Sequence, residues 1–158
     1  MERKIFLDLD GVILDSEKRV VDLKKIYNDL SWDDFFNIID WDKLLSESIS
    51  INNSVEIIND IQKSKNNISI LTKVHTLLEA QAKINELRNK RNITIPIIIV
   101  PPHIRKSQIY IPTNGEILVD DSEKNIKDWN IKGGRGILFC QDDNIDDNKV
   151  KSLEFLLK

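Results

Sequence analysis

Five short apolar runs punctuate the chain, and stretches with helical spacing separate them. The first lies within Lys4-Ile5-Phe6-Leu7-Asp8-Leu9-Asp10-Gly11-Val12. The others are Ile68-Ser69-Ile70-Leu71-Thr72, Ile95-Pro96-Ile97-Ile98-Ile99-Val100, Ile117-Leu118-Val119 and Ile137-Leu138-Phe139. Runs of this kind suit strands buried on both faces of a parallel sheet. Pro96 must sit at the start of its strand or on an edge, because proline has no N–H to give a ladder. Strand and helix alternate along the chain. That alternation predicts βαβ units, an α/β fold class and a parallel sheet of about five strands.

Between the first two runs the pattern is helical only. Val20, Leu23, Tyr27 and Leu30 recur at helical spacing. Ser31, with an acid three residues on, reads as a helix start, and Asp40 through Leu45 as a further short helix. Residues from about Ser16 to Asn53 therefore read as a helical insertion without strands. Val55, Ile58 and Ile61 then mark a helix that returns the chain to the sheet. Thr76-Leu77-Leu78-Glu79 reads as a capping box, with Ala80, Ile84 and Leu87 as the apolar stripe of its helix. Asn125 through Trp129 read as helical. Val150, Leu153 and Leu157 fall on one stripe of a C-terminal helix.

The length of 158 residues suits one domain, residues 1–158, with room for a small insertion. A net charge of −3 carries no basic footprint, so a nucleic-acid polymer is not an expected partner. The single cysteine, Cys140, excludes an intramolecular disulfide framework and fits a reducing compartment. No apolar run approaches the length of a membrane span, and the N-terminus runs straight into a strand without a signal peptide. The expectation is a cytoplasmic protein with no membrane partner.

The chemistry gathers where the strands end. A strand alternates its side chains, so Phe6, Asp8 and Asp10 are expected on one side. Two carboxylates together at a strand's carboxyl end are costly unless something neutralises them, and a hard cation such as Mg2+ prefers oxygen ligands. In an open α/β sheet that end is also where ligands bind. Asp-Leu-Asp-Gly could instead be only a turn. The second strand ends in Thr72, followed by Lys73, and the fourth in Asp120-Asp121-Ser122. Those acids could equally cap the helix that follows. Lys106 precedes the fourth strand, with Arg105 and Lys83 as rival cations. His75 and His103 read as loop residues.

In this order the motifs resemble those of the haloacid dehalogenase (HAD) superfamily of Asp-based phosphohydrolases. The first motif is Leu7-Asp8-Leu9-Asp10-Gly11-Val12, the second Ile70-Leu71-Thr72, the third Lys106, and the fourth Ile117-Leu118-Val119-Asp120-Asp121-Ser122. The resemblance implies a three-layer Rossmann-like fold with a small all-helical lid inserted after strand 1, at about 16–53. It implies a Mg2+-dependent phosphomonoester hydrolase working through an aspartyl-phosphate. Asp8 would be the nucleophile. Asp10 would protonate the leaving oxygen and then deprotonate water. Asp8, the carbonyl of Asp10 and Asp121 would hold Mg2+, with Asp120 acting through water or behind the first ligands. Thr72, Lys73 and Lys106 would handle the phosphoryl group.

Within that superfamily the motifs and the small lid look like the 5'(3')-deoxyribonucleotidase branch, so a nucleoside monophosphate is the narrower substrate expectation. Two departures stand against it. Ser16 occupies a place where that branch has an aromatic residue, and the spacing from lysine to acid is longer here. The lid holds Tyr27, Trp32, Phe35, Phe36 and Trp41. These could form the lid's own core or stack on a base. A phosphatase of sugar phosphates or other small metabolites is the alternative. A relative that only binds phosphate or a protein is the second alternative.

Overall fold

The computed structural model of the chain describes residues 2–158. Six strands form one parallel sheet in the order β3-β2-β1-β4-β5-β6. They are β1 (Ile5–Leu7), β2 (Ile68–Lys73), β3 (Ile97–Val100), β4 (Ile117–Asp120), β5 (Arg135–Phe139) and β6 (Lys149–Val150). The five apolar runs account for β1 to β5. β3 is an edge strand that begins just after Pro96, whose carbonyl still accepts from Ile70.

Helices cover both faces, because both faces are apolar. On one face Leu7, Ile68, Ile70 and Val119 pack against α4 (Ser54–Ile61), with Leu153 and Leu156 beside them. On the other, Phe6, Leu71 and Leu118 pack against Trp129 of α7 (Glu123–Ile131), next to the short α6 (Lys106–Ile109). Trp129 is fully buried, meets Phe6 edge-on with ring centroids 5.5 Å apart, and donates from Nε1 to the Glu116 carbonyl at 2.8 Å. This is the parallel α/β sheet that the strand–helix alternation predicts, and the Rossmann-like fold that the resemblance implies.

The segment after β1 is helical, as its spacing predicts. It forms α1 (Ser16–Ile26), α2 (Trp32–Ile38) and α3 (Trp41–Glu47), capped at Ser31 and Asp40 by side chains that accept from Asp34 and Lys43 amides. Phe35, Phe36, Trp41, Leu44 and Leu45 make a core of their own, closed on one side by Ala82 of α5 (Leu77–Asn85). Arg91 fastens α3 from below, donating to the Leu45 and Ser48 carbonyls at 3.2 and 2.7 Å.

Three expectations are corrected. Val150 belongs to β6, and the chain then ends in a 3-10 turn over Leu153–Leu157, not a longer helix. Of the expected stripe Ala80, Ile84 and Leu87, only Leu87 is in the core. Glu79, Ala82, Lys83 and Glu86 are buried along this helix and its π-helical continuation, whereas Ile84 is exposed. Asp10 does not continue the alternation of β1. The strand ends at Leu7, and residues 9–14 form a tight turn in which the Ile13 and Leu14 amides donate to the Leu9 carbonyl.

Replacing Trp129 should test how far this face depends on one ring. Trp129→Ala is expected to lower stability by about 3–5 kcal/mol in urea unfolding, the cost typical of removing a large buried aromatic. Trp129→Phe should recover part of it but still lose the indole hydrogen bond, although the Glu116 carbonyl keeps the Arg135 amide.

Candidate active site

Strand register builds the site. Leu7 pairs with Val119, so the next residues, Asp8 and Asp120, stand side by side where β1 and β4 end. The Asp8 amide continues the ladder to the Val119 carbonyl at 2.9 Å. This is also where the sheet order reverses direction, the place at which open α/β sheets bind ligands. Asp8, Asp120 and Asp121 each offer a carboxylate oxygen, and the three lie within 4.8 Å of one another.

The acids are held differently. Asp120 is fully buried, and donors claim both of its oxygens: the Ser122 amide on Oδ1 at 2.9 Å, and Lys106 and Asn125 on Oδ2 at 2.7 and 3.1 Å. Asp8 Oδ1 accepts from the Leu9 amide and pairs with Lys106, both at 2.8 Å. Among the described residues no side-chain donor and no other residue's amide reaches Asp8 Oδ2 or the Asp121 side chain. Asp121 lies against Gly11, where a Cβ would fall 2.0 Å from Asp121 Oδ2. Gly11 also has φ +82°, a left-handed conformation that costs a side chain. The helix cap after β4 is Ser122, which accepts from Asn125, so the two acids are not needed as caps.

Two buried lysines answer these charges. Lys106, the first residue of α6, bridges Asp8 and Asp120. Its rival Arg105 points away, to Asp128. Lys83, the other rival, comes from the inner face of α5 and grips Asp10 Oδ2 at 2.6 Å, with Glu79 at 3.1 Å. It also donates to the Lys73 carbonyl at 2.8 Å and to Thr72 Oγ1 at 3.2 Å. Ser16 donates its hydroxyl to the other oxygen of Asp10 at 2.6 Å.

The charge balance is uneven. Burial, reinforced by Asp120, pushes the Asp8 carboxyl well above its ordinary range, although Lys106 pulls it down. Burial, with Asp120 and Glu17 nearby, raises Asp121 to about 6. Burial would raise Asp10 too, but Lys83 outweighs it and the carboxyl is lowered. Burial opposes the charge on Lys106, yet Asp8 and Asp120 hold it charged, with its pKa raised. A cluster of hard oxygen donors, in which Asp8 and Asp121 each keep an oxygen clear of lysine and have raised affinity for protons, suits a cation such as Mg2+.

These groups line a cleft of about 530 Å³ shared by Asp8, Asp10, Lys73, Lys106, Asp120 and Asp121. Lys73 stands at its mouth with no carboxylate partner among the described residues. Thr72, expected against a phosphoryl oxygen, is fully buried below the cleft floor with its hydroxyl oxygen taken by Lys83. Glu17, Val20, Trp32, Phe36 and His75 line it too, with Ser122 and Asn125 beside the acids. Residue patterns alone miss Glu17, although Asp15-Ser16-Glu17 does break the apolar run beside the first acids. His75 stacks on Phe36, with ring centroids 3.7 Å apart, and pairs with Glu79. A wider hollow of about 940 Å³ lies at the opposite end of the sheet among Arg3, Lys4, Asn67 and Tyr110. It lacks the convergent acids, so the chemistry belongs to the smaller cleft.

No protein-family profile and no curated protein sequence matches the chain. Solved structures do match. A D,D-heptose 1,7-bisphosphate phosphatase from Burkholderia thailandensis aligns over 99% of this chain and 100% of its own, with a TM-score of 0.57 at 15% identity. A haloacid dehalogenase-like hydrolase from Streptococcus pneumoniae aligns over 98% and 97%, with a TM-score of 0.62 at 14% identity. A family IA HAD hydrolase from Entamoeba histolytica aligns over 95% and 93%, with a TM-score of 0.55 at 11% identity. The chain therefore has the fold found in HAD hydrolases.

The acid cluster should leave a signature in stability. Asp121 titrates near 3.8 ordinarily and about 6 here, so the unfolded chain holds fewer protons between those values. Asp8 is raised in the same sense. Without metal, stability should fall as pH rises through that window. Asp121→Asn should flatten this fall and raise the metal-free melting temperature at pH 8, while reducing the stabilisation that added Mg2+ gives the unaltered protein. Thermal melts with and without Mg2+ at pH 4.5 to 8 measure all three effects.

Proposed function

We propose that this chain is a Mg2+-dependent phosphomonoester hydrolase that works through a phosphoryl-aspartate at Asp8. The observation that carries the reading is the state of Asp8. One oxygen is fixed by the Leu9 amide and Lys106, and the other is without a protein donor in a cleft ringed by acids. Such a carboxylate is oriented, close to a cationic side chain and open to an incoming phosphorus.

In the proposed sequence the Asp8 carboxylate forms a bond to phosphorus as the ester P–O bond breaks. Asp10, ionised here beside Lys83, takes up a proton as the phosphate dianion binds and gives it to the leaving oxygen. Water then attacks the phosphoryl-aspartate, Asp10 takes its proton, and the Asp8–phosphorus bond breaks to release phosphate. Lys106 keeps Asp8 charged and oriented throughout, and Lys73 at the mouth meets the phosphoryl oxygens. Asp8, the carbonyl of Asp10 and Asp121 would hold Mg2+, with Asp120 as the fixed acid behind them. The bound cation would neutralise charge between the carboxylates and the phosphoryl group. Asp121 fits direct ligation better than Asp120, because its oxygens are not already given to a lysine or to another residue's amide.

The narrower proposal is that the substrate is a nucleoside monophosphate. Trp32 supports it. Trp41 and Trp129 are buried, whereas Trp32 is 48% exposed and lines the cleft with Val20 and Phe36. A planar base could lie on that wall while its phosphate meets the acids. The core of the helical segment is made by Phe35, Phe36 and Trp41, so most of its aromatics serve packing.

Two experiments test these readings. Asp8→Asn should abolish turnover of every phosphomonoester with the fold intact. Asp10→Asn should cost about 10²–10⁴-fold on alkyl phosphates and far less on aryl phosphates, whose leaving oxygen needs no proton. Hydrolysis of no phosphomonoester by the unaltered protein in Mg2+ would favour a binding module instead. Separately, Trp32→Ala should raise KM for nucleoside monophosphates about 10-fold, in line with ~1–3 kcal/mol for a stacked base. Its KM for sugar phosphates should not change. An equal effect on both classes, or none, would favour the sugar-phosphate alternative.

A further inference from the structure

Lys83 is among the largest fully buried side chains in the chain, yet it lies on the inner face of a helix beside the active-site cleft. It does not line the cleft, so it is not placed to touch a substrate. Four oxygens surround its ammonium: Asp10 Oδ2, Glu79 Oε1, Thr72 Oγ1 and the Lys73 carbonyl. Three of the four come from the body of the protein, on α5 and the end of β2. Together they fix the ammonium in space, and the ammonium in turn fixes Asp10.

Asp10 needs such an anchor. It stands beyond the end of β1, in a turn whose next residue is a left-handed glycine, so no strand ladder sets its orientation. Its carboxylate is held from two sides only. Ser16, the first residue of α1, holds Oδ1, and Lys83 holds Oδ2. α5 is also the helix on which the inserted helical segment packs, through Ala82 in that segment's core. One residue of α5 thus faces the segment, and the next grips Asp10.

We propose that Lys83 is a positioning residue for Asp10, holding its carboxylate at the leaving oxygen by the Glu79–Thr72–Lys73 cradle and acting on the reaction through Asp10 alone. The proposal rests on the role given to Asp10 above. It differs from the role of Lys106, which meets the nucleophile, and from a phosphate-binding role, which would need Lys83 to reach the cleft.

The test compares kcat/KM on an alkyl ester, glycerol phosphate, with kcat/KM on 4-nitrophenyl phosphate. This parameter reports steps up to cleavage of the ester bond, so it isolates the protonation of the leaving oxygen. Lys83→Met should lose about 10²-fold on glycerol phosphate, within the range of lost acid–base assistance, and under about 5-fold on the aryl ester. Lys83→Met added to Asp10→Asn should cost nothing further on glycerol phosphate, because the two act as one unit. That double variant also removes both halves of the pair, so it avoids the unpaired Asp10 charge that could unfold Lys83→Met alone. If Lys83→Met does not fold, the double variant against Asp10→Asn carries the test. Equal losses on the two esters, or a further loss of more than about 5-fold in the double variant, would overturn the proposal. Absence of hydrolysis by the unaltered protein would instead overturn the phosphatase reading, and this inference with it.

Discussion

Four carboxylates meet where β1 and β4 end, and the rest of the site follows from keeping them together. Asp8, Asp10 and Asp120 are largely buried, and Asp121 is close by. Buried like charges of this kind would drive one another to protonate or the fold to open. Two lysines without exposure to speak of answer them, one on each side of the cluster. The arrangement is demanding, because removing one partner of a buried pair costs about 3–5 kcal/mol where removing both can cost little. Lys106 serves Asp8 and Asp120, and Lys83 serves Asp10. Asp121 is left without a donor from any other of the described residues, which is where a hard cation would complete the balance.

This division explains the architecture around the cleft. The floor is rigid, built from strand ends, the cap at Ser122 and a glycine that only a missing Cβ allows beside Asp121. One wall belongs to the inserted helices, which carry their own aromatic core and rest on α5. The floor supplies the charge that the proposed phosphoryl transfer would need. The wall supplies the exposed Trp32 and, with it, the proposed preference for a substrate that carries a planar base. Helix α5 is common to both, since it carries Ala82 into one and Lys83 into the other.

Much of this was legible in residue patterns, and the limits have physical causes. The strands were readable because apolar runs need no partner to be recognised. Ser31, Asp40 and Thr76 announced helix starts through local hydrogen bonds. Asp8, Asp120 and Asp121 were readable because each stands at or near a strand end, where parallel sheets gather ligands, whereas Lys106, which opens α6, was singled out only through the family resemblance. The inner face of α5 was not. A search for apolar spacing picks Ala80 and Ile84, whereas Glu79 and Lys83 are buried by pairing with each other and with Asp10, which is 73 residues away from Lys83. Thr72 stood in the right place along the chain but faces Lys83, not the cleft. β6 spans two residues, too few to leave a pattern. The place of Asp10 depended on a turn, which strand alternation does not describe.

The central claim is that the carboxylate of Asp8 becomes phosphorylated during turnover. Acid quenching of the protein mixed with a phosphomonoester and Mg2+, followed by peptide mass spectrometry, reads this directly. The account expects a phosphoryl group on the peptide that contains Asp8, stable in acid and removed by hydroxylamine. Steady hydrolysis with no phosphorylated peptide, or with the group on another residue, would contradict it.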